Sequence, residues 1–72
     1  TLMNKELRKT MDDAIQELPD EYKVVFVLRD LENKTAEETA KILKLSVPAV
    51  KSRLRRSRMF LRHKLHGVMT QQ

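Results

Sequence analysis

Residues 35–58 read Thr35-Ala36-Glu37-Glu38-Thr39-Ala40-Lys41-Ile42-Leu43-Lys44-Leu45-Ser46-Val47-Pro48-Ala49-Val50-Lys51-Ser52-Arg53-Leu54-Arg55-Arg56-Ser57-Arg58. Two helix starts lie inside this stretch. Thr35 and Glu38 have the form of a capping box, in which the Thr35 hydroxyl accepts from the Glu38 N–H and the Glu38 carboxylate accepts from the Thr35 N–H. The spacing predicts a short helix with Ala36, Thr39, Ala40 and Leu43 on one face, giving out near Lys44-Leu45. Ser46 then caps another helix. Pro48 falls in its first turn, where the missing N–H has no intrahelical acceptor. The next Gly, Gly67, suits a C-terminal cap, so the last helix is expected to run for about 20 residues, or ~30 Å.

A capped short helix, a turn of about three residues and a second capped helix make a helix-turn-helix unit, whose second helix lies in the major groove of DNA. On that helix Val47, Val50, Leu54, Leu61 and Leu65 form the inward stripe. Lys51, Arg55, Arg58 and Arg62 recur at spacings of four, three and four and form a basic stripe on another face, with Ser52 and Arg56 beside its start. Only the N-terminal turns of a recognition helix reach base edges, which assigns Lys51, Ser52, Arg55 and Arg56 to bases. Arg58, Arg62 and Lys64 are then expected at phosphates, where contacts position the protein without reading sequence. The blander reading of such a stripe is a solvated basic face; the helix-turn-helix spacing favours DNA.

Upstream, Leu7, Met11, Ala14, Ile15 and Leu18 recur at spacings of three and four among charged residues, which predicts one amphipathic helix ended by Pro19. Asp20 and Glu21 then occupy a first turn, where carboxylates favour the exposed N–H groups, and this second helix is expected to reach about Glu32 before a turn at Asn33-Lys34. Val24-Val25-Phe26-Val27-Leu28 is locally the best strand candidate, since β-branched residues lose rotamer freedom in helices. A lone strand would have no partner, and the Pro-Asp-Glu start favours a helix. Its apolar residues cover more of the wheel than one packing stripe uses. Some of Tyr22, Val24, Val27, Leu28 and Leu31 are therefore left for a docking face, unless the segment is simply the central helix.

Composition bounds the rest. The chain has 72 residues, 40% of them hydrophobic and 4% aromatic, with 15 Lys+Arg, 10 Asp+Glu, one Gly, two Pro and no Cys. A chain this short buries only about 60% of its unfolded surface, which leaves one shallow core and little room for a pocket. Without Cys there is neither a disulfide framework nor a thiolate metal site, which suits a reducing, cytoplasmic setting. No run approaches the ~20 apolar residues of a membrane span. The start at Thr1 points to a processed product or a domain cut from a longer protein. Residues 1–45 carry 8 basic and 10 acidic side chains, net −2, whereas residues 46–72 carry 7 basic and no acidic ones, net +7. Such asymmetry points to a polyanion, either nucleic acid or an anionic membrane surface. His63 and His66 alone make at best half a zinc site, so no metal and no cofactor is expected. Ser52 or Ser57 with His63 lacks an acidic residue to orient the imidazole, so no enzyme is expected either. Met59, Phe60 and Met69 read as padding for the packing face or a terminal contact.

The fold class is all-α, a single four-helix domain over residues 1–72, with its helix-turn-helix at about 35–66 and no wing. Leu18-Pro19, Leu28-Arg29-Asp30, Thr35 to Leu43, Ser46 and Ala49-Val50-Lys51-Ser52-Arg53-Leu54-Arg55-Arg56-Ser57-Arg58 resemble region 4 of bacterial sigma factors, most closely the extracytoplasmic-function type. The likeness covers about residues 15–65. It implies a domain that binds the promoter minus-35 element in double-stranded DNA, with Lys51, Ser52, Arg55 and Arg56 at bases or adjacent phosphates. Arg53 and Arg58 match basic positions of the family, which adds Arg53 to the phosphate set. The likeness also implies docking on the β-subunit flap of core RNA polymerase through the apolar surface of the first helices, and nucleoid association. It leaves room for an anti-sigma factor and calls for no membrane. Three departures stand out. Lys44 occupies a turn position where the family often has Gly, Pro48-Ala49 replaces a common Gly-Thr, and Thr39 and Ser57 replace a usual Ile or Val and a usual Ala.

Two other readings share parts of this pattern. A response-regulator-type transcriptional activator has the same four-helix, helix-turn-helix architecture but usually a different signature around the recognition helix. A basic amphipathic helix over 47–66 of the membrane-surface or calmodulin-target kind leaves the capping box and the turn unexplained.

Overall fold

The computed structural model describes residues 5–69, with the side chains of 67–69 left out of the description. Its elements follow the order α1 (Lys5–Gln16), α2 (Asp20–Phe26), a π-helical continuation of α2 (Val27–Leu31), α3 (Ala36–Leu43) and α4 (Val47–Met69). No strand occurs among the described residues, and no helix among them is long and apolar enough to cross a membrane.

The core is drawn from every helix. Ala14, Ile15 and Leu18 from α1 and its exit turn, Val25 and Phe26 from α2, Ala36 and Ala40 from α3, and Val50, Leu54 and Leu61 from α4 are all buried. Leu43, Leu45, Val47, Phe60 and Leu65 pack against them half-buried. Among the described residues two hydroxyl side chains share the interior. Thr39 and Ser57 are both fully buried, and while Ser57 Oγ donates to the Leu54 carbonyl at 2.7 Å, Thr39 Oγ1 has no partner among the described residues.

Local rules set most boundaries. Pro19 stands immediately ahead of Asp20, and the Tyr22 and Lys23 N–H groups donate to its carbonyl at 2.9 Å each. The capping box is formed on both sides, Glu38 N to Thr35 Oγ1 at 3.0 Å and Thr35 N to Glu38 Oε1 at 2.8 Å. Ser46 Oγ accepts from the Ala49 N–H at 3.2 Å and caps α4.

Two expectations are corrected and one is refined. The second helix ends at Leu31, next to the expected Glu32, but keeps the α form only to Phe26. Beyond it the chain widens into the π turn, with the Glu32 N–H donating five residues back to the Val27 carbonyl at 2.9 Å. Within that turn Arg29 bonds the Lys34 carbonyl and Asp30 bonds Arg58. Gly67 is not a cap. Helix α4 passes through it to Met69, 23 residues in all, because no left-handed glycine forms there. Met59 does not pad the packing face either; it is 55% exposed. The companion expectation for the Met69 side chain lies outside the described residues.

Candidate nucleic-acid interface

The turn between α3 and α4 is held from within. Lys44 adopts a left-handed conformation, φ 58° and ψ 46°. The Leu45 N–H then donates to the Ala40 carbonyl at 2.9 Å and the Lys44 N–H to the Lys41 carbonyl at 3.4 Å. These two bonds are those of a Schellman closure, and Leu45 supplies its apolar contact with the core. A side chain in this backbone region costs on the order of 1 kcal/mol relative to glycine. Three residues therefore redirect the chain from α3 into α4, and the Ser46 cap fixes where α4 begins.

Helical geometry sorts the α4 side chains into faces. Val50, Leu54, Ser57 and Leu61 point inward. Lys51, Arg55, Arg58 and Arg62 line an open groove together with Arg29, Met59 and Leu54. Ser52 and Arg56 are exposed beside its start. The stripe read from spacing is thus one wall of the groove, and the structure brings Lys51, Ser52, Arg55 and Arg56 together near the N-terminal turns of α4.

Arg29 was not picked out by spacing. It stands in the π turn, where a 3.6-residue period no longer tells which way a side chain points. Its Nη1 donates to the Lys34 carbonyl, while its buried Nε has no partner among the described residues. The nearest signal in the sequence was the Leu28-Arg29-Asp30 triplet of the family likeness.

The Lys and Arg residues of α4 divide into two kinds. Lys51, Arg55 and Arg62, like the neighbouring Ser52, make no ion pair or side-chain hydrogen bond with any described residue. Arg53, Arg56, Arg58 and Lys64 are each held by the N-terminal half. Arg58 is gripped at two points, Nε to Asp30 Oδ2 at 2.9 Å and Nη2 to Asp30 Oδ1 at 2.6 Å. Arg53 pairs with Glu21 at 3.8 Å, and Lys64 with Glu17 at 2.8 Å while standing over the Phe60 ring. Arg56 Nη1 reaches the Tyr22 hydroxyl at 3.5 Å. Hydrogen bonds from Arg58 hold the Asp30 carboxyl below its usual range against an opposing push from burial, and the charges of Arg58 and Arg29 add to the lowering. The same pairing raises Arg58. The acidic half thus neutralises one flank of the basic helix and leaves the Lys51, Arg55 and Arg62 edge bare.

The apolar surface of α2 is smaller than its composition suggests. Val25 and Phe26 are fully committed to the core, and Tyr22 packs on it with its hydroxyl turned to Arg56. Val27 and Leu28 are half-buried, which leaves Val24 at 38% and Leu31 at 54% as the exposed members of the five. Ile42 on α3, also 54% exposed, was not anticipated as surface. His63 and His66 line a shallow cleft with Met59 and Phe60, and no group of three His, Cys, Asp or Glu among the described residues is arranged to hold a metal ion.

Comparison with known proteins agrees with this geometry. Residues 8–61 match the family described as Sigma-70, region 4. The chain is 32% identical over 68 residues to the ECF RNA polymerase sigma-E factor of Haemophilus influenzae, covering 94% of this chain and 36% of that protein. It is 36% identical over 67 residues to the ECF RNA polymerase sigma factor SigW of Bacillus subtilis, covering 93% of this chain and 36% of that protein. It therefore spans about a third of the length of each relative. With its capped helix-turn-helix and the match across α1 to α4, the chain belongs to the sigma-70 region 4 family.

Proposed function

We propose that this chain recognises the minus-35 element of promoters and, docked on core RNA polymerase, directs transcription initiation. The observation that carries the reading is the bare cationic edge of α4, Lys51, Arg55 and Arg62, on the second helix of a helix-turn-helix and without a partner among the described residues. In this reading the N-terminal turns of α4 enter the major groove. Lys51 and Arg55 donate to guanine O6 and N7, and Ser52 and Arg56 complete the base-facing set. Arg62, some 10 Å further along the helix than Arg55 at 1.5 Å per residue, meets a phosphate. Arg53, Arg58 and Lys64 approach phosphates only by sharing or leaving their carboxylate partners. The sequence-independent share of affinity then comes mainly from Arg62, with Arg53, Arg58 and Lys64 adding to it only as their carboxylates release them, and it falls with salt accordingly.

Val24 and Leu31, with Val27, Leu28 and the edge of Tyr22 behind them, form the surface offered to the polymerase flap. It lies on α2 and its π turn, and its Tyr22 edge adjoins the base-facing set through the Tyr22–Arg56 contact. An anti-sigma factor that covered either surface would block initiation, and the nucleoid is where such a domain works. The test is a titration of the 72-residue chain against duplex DNA across a range of salt, beside a Lys51→Ala, Arg55→Ala variant. Binding that weakens steeply with salt in the wild type and collapses in the variant supports the reading; equal binding by the two sinks it.

A further inference from the structure

Arg58 has the geometry of a DNA contact and the environment of a structural one. It lies in the basic groove between Lys51, Arg55 and Arg62, its side chain is 52% exposed, and spacing alone assigns it to a phosphate. Yet one full edge of its guanidinium is taken up. Nε and Nη2 lie against the two oxygens of Asp30, a residue 28 positions away in sequence whose side chain is only 24% exposed. A side-on, two-point pair is a geometry in which guanidinium and carboxylate satisfy each other well; it leaves Nη1 outside the pair but cancels the charge that a phosphate would meet. The π turn is what presents Asp30 there, flanked by Arg29, whose own Nη1 is spent on the Lys34 carbonyl.

We propose that Asp30 is a positioning residue for DNA recognition: by clasping Arg58 it cancels one cation inside the groove, so that of the α4 stripe only Arg62 is left bare for phosphate beside the base-facing Lys51 and Arg55, and generic binding is held down relative to sequence reading. The inference rests on the DNA reading above and adds to it a device for limiting unselective affinity. A cation that meets phosphate strengthens binding to every duplex alike, whereas a base contact separates one sequence from another. Neutralising a groove cation therefore lowers the sequence-independent floor without touching the base-facing residues.

Salt dependence reads this directly, because each additional phosphate neutralised steepens the slope of log K against log salt by about 0.9. The experiment measures that slope for the 72-residue chain on two duplexes of equal length and different sequence. Five proteins are compared: wild type, Asp30→Asn, Asp30→Glu, the Asp30→Asn, Arg58→Ala double variant, and Asp12→Asn on α1 as a control for loss of one negative charge far from the groove. Helical circular dichroism confirms folding of each. Asp30→Asn is expected to steepen the slope by about one unit and to tighten binding to both duplexes several-fold at low salt. Asp30→Glu, which keeps a carboxylate within reach of Arg58, is expected to restore the wild-type slope, as is the double variant, in which both charges are gone. Asp12→Asn is expected to leave the slope where it was.

A slope in Asp30→Asn equal to that of wild type, or shared by Asp12→Asn, overturns the inference. So does a double variant shallower than wild type, since Arg58 would then already be at work on DNA despite its partner; this arm decides the matter even if Asp30→Asn does not fold. A wild-type chain without salt-dependent duplex binding overturns the DNA reading itself, whereas a wild-type chain that binds and an Asp30→Asn variant that matches it overturn the role of Asp30 alone.

Discussion

Arg58 and Asp30 meet edge to edge across the groove between α4 and the π turn of α2, and among the described residues this is the one two-point ion pair between the acidic and the basic halves of the chain. Its consequence for stability follows from the sign of the shift. The Asp30 carboxyl titrates below its ordinary range when folded, so the folded state is favoured wherever that carboxyl is ionised in both states. The contribution is complete above the unfolded carboxylate range and is lost as pH falls through the folded value. Glu38, lowered chiefly by the hydrogen bond from the Thr35 backbone, acts in the same direction. The midpoint of thermal unfolding is therefore expected to fall between about pH 5 and about pH 2, and to fall less in Asp30→Asn than in wild type. Melting curves across that range, followed by circular dichroism, check it.

Lys44 closes the helix-turn-helix turn with a left-handed backbone that carries a Cβ. Lys44→Gly is expected to stabilise the domain by about 1 kcal/mol, a rise of roughly 4–8 °C in melting midpoint for a chain of this size. Asn33, at φ 60°, is the only other described non-glycine residue at positive φ, and as an asparagine it tolerates that region better, so Asn33→Gly is expected to gain less. Comparing the two midpoints separates the effects.

Thr39 and Ser57 are equally buried but differently satisfied. Thr39 Oγ1 has no hydrogen-bond partner among the described residues, and Thr39→Val replaces it with a methyl group of similar shape. That variant is expected to gain about 1 kcal/mol or more. Ser57 Oγ already donates to the Leu54 carbonyl, so Ser57→Ala is expected to stay within about 0.5 kcal/mol of wild type. Urea unfolding of the two variants reads the contrast.

Leu31 is the most exposed apolar residue of α2 and its π turn. Leu31→Asp is expected to leave duplex binding within about twofold of wild type and to weaken capture by core RNA polymerase by at least about tenfold, the loss of about 1.4 kcal/mol or more. Loss of both activities together would mean that the variant perturbs the fold rather than a docking surface.

What was legible in the sequence was local. The Thr35–Glu38 capping box, the Ser46 cap, the Pro19 boundary and the inward face of α4 each depend on residues within one or two turns, and all four stand as read. Lys44 stands at a turn position where the family often has Gly, and its backbone is left-handed there. The unread features depend on residues far apart or on a broken period. Pairing of Arg58 with Asp30, Lys64 with Glu17 and Arg53 with Glu21 requires knowing how α1 and α2 lie against α4. The basic stripe was therefore visible as a pattern, while its division into clasped and bare members was not. The π turn hid Arg29 for the same reason, because the rule that places side chains by spacing fails where the spacing changes.

Within the bare edge, Arg55 and Arg62 are expected to behave differently. Arg55→Ala should change which bases are preferred, whereas Arg62→Ala should weaken all duplexes alike and flatten the salt slope by about one unit. Equal losses in both variants on every sequence would contradict that division of labour.

The central claim is that the N-terminal turns of α4 read DNA sequence. Selection from a random duplex library at low salt, run with the 72-residue chain beside the Lys51→Ala, Arg55→Ala variant, tests it most directly. The account predicts an enriched motif of about 5–7 base pairs in the wild type, roughly what one recognition helix spans in a major groove, and its loss in the variant. Salt-sensitive binding with no enrichment, or the same motif enriched by both proteins, would contradict it.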